Sequence, residues 1–291
     1  MLPELLALLG AFLFGLGTVL VRRGLEESNF LSATLTVTLI GTIVFCIVSL
    51  LLVPLTSVNS IGIVFFALAG LFAPGFAMLT HLKGVEMLGA SMNASIFAAY
   101  PLFSSLLAVF VLGELPSLGI LAGMICIIFG VVLIERNLYG TPVKSAKPTR
   151  TALAFPLSAA LLLGFGYVLK KMGLNAYNEP ILGVAVTYLS SMSLYTLLSA
   201  LSTTVRRSMS VSRQSLQLFW KPGLILCAGH LCEYYALRYG DVSLVAPLMN
   251  IEPFFVFIFA YILLRELEKI THKLVIGTLI IVAGVSLITI F

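Results

Sequence analysis

The chain has 291 residues, of which 60% are hydrophobic and 10% charged, with a mean hydropathy of +1.11. Soluble domains carry roughly 25% charged residues, so this composition excludes a water-soluble globular protein and points to lipid. The net charge of +5 would suggest an anionic partner in a soluble protein. Here the Lys and Arg residues sit in short connections between apolar runs, where they report topology and not nucleic-acid binding.

A hydrocarbon core takes about 20 residues of helix. Apolar runs set against turn and charge signals predict ten helices, near 4–22, 30–53, 60–81, 89–112, 116–135, 152–170, 180–203, 219–238, 242–264 and 272–291. The first run has nothing basic before it and ends in Arg22-Arg23, so it reads as a retained span and not as a cleavable signal peptide. The one long polar connection, RNLYGTPVKSAKPTR (Arg136–Arg150), falls between spans five and six. It divides the chain into a first repeat (1–138), a cytoplasmic linker (139–151) and a second repeat (152–291).

Internal matches support that division. GLGTVLVRRGL from Gly15 and GFGYVLKKMGL from Gly164 share six of eleven positions and a basic pair, aligning span one with span six. Tyr100-Pro101 aligns with Glu252-Pro253, and thirteen residues beyond each proline Glu114 aligns with Glu266. GMICIIFGVVLI from Gly123 parallels GTLIIVAGVSLI from Gly277. A duplicated unit with an odd number of helices must enter the membrane in opposite directions. The charges agree: connections after odd-numbered spans hold 14 of the 17 Lys and Arg residues, leaving Lys170, Lys171 and Arg238 on the other side. The positive-inside rule then makes the odd connections cytoplasmic and puts both termini outside. The expected fold is an all-α polytopic membrane protein, ten transmembrane helices in two inverted five-helix repeats, in a prokaryotic cytoplasmic membrane.

Ionisable groups deep in a span are costly and usually face the bundle interior. His230, Glu233 and Tyr234 fall on one face of span eight, and Asn250 and Glu252 lie near the middle of span nine. Pro253 removes a backbone donor, so span nine is expected to break beside Glu252. Glu233 or Glu252 can bind a substrate amine or carry a coupling proton; the bland alternative is that His230 and Glu233 pair only with each other and Glu252 bonds a neighbouring helix. Asn93, Tyr100, Tyr167, Tyr234 and Asn250 are further candidates, against the alternative of interhelical hydrogen bonds worth about 0.6 kcal/mol each. Asn93, Tyr100 and Ser104 share a helical face. Thr18 aligns with Tyr167, and both are expected to face the midplane. Glu114 and Glu266 end spans four and nine and read as structural helix-end residues, and Gly119, Gly123, Gly130, Gly277 and Gly284 as packing positions. Cys46, Cys126, Cys227 and Cys232 lie in apolar runs without metal-ligand spacing. No metal, cofactor or enzymatic motif is expected.

ALRYGDVSLVAPL (Ala236–Leu248), the proline-to-glutamate spacing closing in "GE" or "RE", and the final IGTLIIVAGVSLI are similar to the pattern of the ten-helix EamA-type transporters of the drug/metabolite transporter superfamily. The resemblance covers nearly the whole chain. It implies spans one to four and six to nine around a central cavity, spans five and ten at the periphery, and transport of amino acids, amines, sugars or nucleotide derivatives. Many members resemble proteins with the N-terminus inside and basic residues after span two, where this chain has the uncharged VPLTSVNSIG. The expected activity is secondary transport of a small polar metabolite by alternating access, with or without proton coupling. Uncoupled exchange, divalent cation passage and lipid flipping are the alternatives. Expected partners are a small-molecule substrate and the bilayer, with a homodimer allowed and no nucleic acid.

Overall fold

The computed structural model describes residues 1–54, 59–138, 150–201, 211–264 and 272–290. Among them there are helices and no strands. In chain order these are α1 (Leu2–Gly24), α2 (Phe30–Leu52), α3 (Ser60–Gly70), a π-helical stretch (Leu71–Phe76), α4 (Ala77–Leu88), α5 (Ala90–Phe97), α6 (Tyr100–Leu112), α7 (Leu118–Leu138), α8 (Arg150–Ala176), α9 (Pro180–Leu201), α10 (Arg213–Tyr239), α11 (Val242–Met249), α12 (Glu252–Phe259), a second π-helical stretch (Ala260–Leu264) and α13 (His272–Ile290).

Seven stretches are long and apolar enough to cross a membrane: Leu2–Gly24, Phe30–Leu52, Ser60–Leu88, Met92–Leu112, Thr151–Ala176, Pro180–Leu201 and Val242–Leu263. Leu118–Ile134 and Ile276–Ile290 are shorter apolar helices, while α10 carries Arg213, Lys221, His230, Glu233 and Arg238 and is more polar than the seven. Large apolar side chains such as Leu50, Leu51, Leu52, Phe110 and Leu118 stand exposed on the outside, as expected of a surface that faces lipid.

Polar residues set the helix ends. Asn29 accepts from Ser32 N at 2.9 Å to start α2, and Asn59 accepts from Ile61 N at 2.9 Å to start α3. Ser212 and Ser215 form a reciprocal cap that starts α10 six residues before the apolar run on which sequence reasoning placed it. Gly113 ends α6 at φ 72°, a conformation glycine adopts without strain. The expected break beside Glu252 is present, between α11 and α12, and its repeat counterpart separates α5 from α6 before Pro101. A third break, at Ala73-Pro74 inside the span expected to be continuous from 60 to 81, has non-helical backbone at Ala73.

The repeats make counterpart contacts. Gly17 and Gly24 of α1 abut Leu226 and Phe219 of α10, while their counterparts Gly166 and Gly173 of α8 abut Ala73 and Phe66. Gly15 abuts Phe255 of α12, and Gly164 abuts Phe103 of α6. Helix α7 pairs with α13, the Gly123 side against Gly284 and Ile288 and the Gly130 side against Gly277 and Ile281, so these two run antiparallel. Helix α1 runs antiparallel to α10, α10 to α9 (Gly183 beside Tyr234, Tyr188 beside His230), α9 parallel to α3 (Gly70 beside Thr187, Gly75 beside Leu194), and α3 antiparallel to α8. Helices α1 and α8, which carry the twin motif, therefore run in opposite directions.

Helix α8 does not end at Lys171, as the charge pair suggested, but continues to Ala176. Lys170 is 2% exposed and lies inside the bundle, and Lys171 donates to Leu237 O at 2.8 Å and Gly240 O at 2.9 Å, in the last turn of α10 and just beyond it. The expectation that the pair closes span six is corrected for Lys170, whose ammonium is paired with Glu233, the pairing that permits its burial, while Lys171 is half-buried at the end of α10. Glu266 and residues 139–149 of the expected linker lie outside the described residues.

Candidate functional site

The deepest charges form one ion pair. Lys170 Nζ of α8 donates to Glu233 Oε1 of α10 at 2.6 Å, with both side chains 3% exposed. The ammonium also lies 5.0 Å from the ring centre of Tyr167 and 5.6 Å from that of Tyr234, distances at which a cation is attracted to an aromatic face. Tyr167 stacks on Tyr100, centroids 5.7 Å apart and planes 16° from parallel. Tyr234 hydroxyl pairs with Thr187 Oγ1 of α9. Tyr100, Tyr167, Lys170, Glu233 and Tyr234 thus form one buried cluster drawn from α6, α8 and α10.

His230 is not part of the Glu233 pair that spacing offered as an alternative. Its Nδ1 lies 3.0 Å from Tyr188 hydroxyl and 3.0 Å from Leu226 O of the preceding turn, and its ring meets Phe14 edge-on. The i, i+3 relation puts His230 and Glu233 on one face, but Lys170 takes the carboxylate and Tyr188 the imidazole.

Glu252 opens α12 and is half-buried, and Thr18 Oγ1 of α1 donates to its Oε1 at 2.7 Å. Thr18 and Tyr167 do occupy equivalent places, one against Glu252 and the other against Tyr100. The two broken helices clasp each other at their breaks: Asn250 Nδ2 donates to Ala98 O at 2.9 Å, and Tyr100 hydroxyl donates to Ala246 O at 3.1 Å. The amide of Leu102 turns back to Ala99 O, which frees Ala98 O for Asn250. Asn93, fully buried, lies apart from this group; its Nδ2 is 3.1 Å from Nδ1 of His81 on α4. The face it shares with Tyr100 and Ser104 on an unbroken helix is interrupted between α5 and α6.

Glu114 caps α11. Its Oε1 accepts from Val242 N at 2.8 Å, and its Oε2 from Ser243 N at 2.9 Å and from Ser243 Oγ at 2.6 Å. A carboxylate at a helix N-terminus satisfies orphan amides and complements the dipole. Lys170 and His81 were the residues that sequence reasoning missed. The signal for Lys170 was its place one turn beyond the aligned tyrosine, on the helix face that Glu233 needs.

EamA-like transporters match residues 1–136 and 150–290. The chain belongs to the EamA-like transporter family. It is therefore a membrane transporter of the drug/metabolite superfamily, whose members are generally not enzymes, and the two matched segments are the two repeats of that architecture. A crystal structure described only as that of a protein matches over 99% of this chain and 96% of its own, with a TM-score of 0.78 at 17% identity, a likeness that shows the fold alone. No curated protein matches.

Proposed function

We propose that this EamA-like protein is a secondary transporter that moves a small polar metabolite, an amino acid, amine or similar solute, across a prokaryotic cytoplasmic membrane by alternating access. The observation that carries the reading is the contact of Glu252, in the second repeat, with Thr18 of α1 in the first, across the boundary between repeats; Glu233 faces Lys170 of α8 within the second repeat. In an inverted-repeat transporter that boundary is where substrate and coupling-ion sites lie. All ten helical stretches cross the membrane in this reading, as two oppositely inserted units (1–138 and 152–291) with both termini outside. Burial of Lys170 and use of Lys171 as a carbonyl donor remove two of the three exceptions to the charge asymmetry, which supports that orientation.

The breaks at Ala73-Pro74, between α5 and α6 and between α11 and α12 supply hinges for the movement. Coupling to protons runs through Glu233 or Glu252.

Purified protein in proteoliposomes should catalyse counterflow of a labelled metabolite chosen from a thermal-stability screen, because a ligand of the native state raises its stability by mass action. Coupling predicts that Glu233→Gln or Glu252→Gln flattens the pH dependence of uptake; unchanged dependence in both variants refutes it and leaves uncoupled exchange. Transbilayer movement of labelled lipid without any solute counterflow would establish the flippase instead.

A further inference from the structure

The two broken spans are equivalent in the duplication. On the register that aligns Tyr100-Pro101 with Glu252-Pro253, α5 (Ala90–Phe97) corresponds to α11 (Val242–Met249), and α6 corresponds to α12 with its π-helical continuation. Every contact between α6 and α11 therefore has a counterpart between α12 and α5, at the other end of the bundle. The first contact is made. Helix α6 packs along α11, Tyr100 hydroxyl donates to Ala246 O at 3.1 Å, and Glu114, just past the end of α6, holds the first amides of α11. Gly240, just before α11, abuts Pro3, so this closure lies at the end where the chain begins. The counterpart is not made: among the described residues α5 and α12 form no packed face with each other.

Inverted repeats alternate between two states by exchanging such contacts. Here the exchange is not between like residues, because Glu252 stands in the place of Tyr100 and Ala94 in the place of Ala246. Tyr100 completes its contact by giving an O–H to a backbone carbonyl. An ionised carboxylate has no hydrogen to give, and it would bring negative charge against a carbonyl oxygen as water leaves. With a proton it becomes a donor, as the phenol is. In the open position Glu252 is half-buried and accepts from Thr18 Oγ1 at 2.7 Å, a role that the ionised form fills.

The surroundings leave that proton to Glu252. Helix α1 meets it with Thr18, while Glu4, Arg22 and Arg23 lie near the ends of that helix. Helix α7, which packs on α12, carries no charge between Leu118 and Ile134, where its titratable group is Cys126. Tyr100 of α6 and Tyr167 of α8 are within electrostatic reach and are neutral phenols. Lys170 is paired with Glu233 at 2.6 Å.

We propose that α5 and α12 are the second gate of the transporter, standing open in this structure while α6 and α11 close the first, and that the second gate closes only when Glu252 carries a proton taken from water on its own side. This rests on the transporter reading; it selects Glu252 over Glu233 as the coupling acid and gives the proton its task.

Spin-label distances in the full chain, with its four cysteines replaced by alanine and reconstituted in lipid nanodiscs, test it. Labels on Met87→Cys, beside the start of α5, and Ile262→Cys, just past α12, report the second gate. Labels on Leu115→Cys, past α6, and Tyr239→Cys, at the end of α10, report the first; all four positions are exposed. As pH falls, the 87–262 distance should shorten in a growing share of molecules and the 115–239 distance should lengthen in the same share. Glu252→Gln, neutral and able to donate, should hold the shortened 87–262 distance at every pH, and Glu252→Asp should keep the pH response. The charge-neutral double variant Lys170→Met/Glu233→Gln should keep it too. Distances that ignore pH in the unmodified residues, or a response kept in Glu252→Gln and lost in the double variant, overturn the proposal. Solute counterflow by a protein whose distances ignore pH leaves the transporter reading standing and removes this inference; a reciprocal, Glu252-dependent change of distances with no counterflow of any solute does the reverse.

Discussion

The pairing of α7 with α13 and the crossings that α1 and α8 make with α12 and α6 have followed different courses since duplication. In the first, residues and contacts have both stayed the same: Gly123 meets Gly284 and Ile288 as Gly277 meets Gly130 and Ile134, and Gly130 meets Gly277 and Ile281 as Gly284 meets Gly123 and Ile127. In the second, glycine and phenylalanine still set the backbone spacing, but the side chains beyond have parted into Thr18 with Glu252 and Tyr167 with Tyr100. A contact that only has to hold can remain symmetric. One whose side chains have parted, as here, is held to the shared backbone spacing alone.

The comparison can be broken at several places. The largest effect belongs to the ion pair, because removing one partner strands the other charge in the interior. Lys170→Met should lower stability by about 3–5 kcal/mol, and adding Glu233→Gln should recover much of that loss, measured as the detergent-solubilised unfolding midpoint. Next come the close approaches. A Cβ at Gly15 or at Gly164 would meet Phe255 or Phe103 together with backbone, so Gly15→Ala and Gly164→Ala should each cost about 1–3 kcal/mol by overpacking. The same assay reads it, and a large effect in one with none in the other would contradict the equivalence of the two crossings. Glu114→Ala should cost about 0.5–2 kcal/mol as a lost cap, seen as earlier hydrogen exchange at the start of α11 than in the unmodified chain.

The helical fold and its duplication were legible because apolar length, prolines and glycines act locally and leave their mark in linear order. Pro253 announced the break beside Glu252, and Glu114 announced a helix end. What was not legible depended on contacts far apart in sequence. Lys170-Lys171 after an apolar run reads as the arrival of water, yet Lys170 is satisfied by Glu233, 63 residues on, and Lys171 by the end of α10. The i, i+3 spacing offered His230 as the partner of Glu233, and a lysine one helix away took the place. The helix end marked by Glu114 was read from its own helix, whereas the end it serves is that of α11 in the other repeat. His81 beside Asn93 gave no sign because a single histidine near a predicted span end looks like a surface residue.

The cap on α11 also bears on the order in which the protein can be made. Glu114 leaves the ribosome 128 residues before Val242, the amide it holds, so the acid exists before the helix it caps. An eight-residue helix is too short to be stable alone, and its first turn is completed by an acid that has been waiting in the earlier half. The start of the broken span in the second repeat is thus completed by a residue of the first, and the two halves, alike in sequence, are joined at that turn.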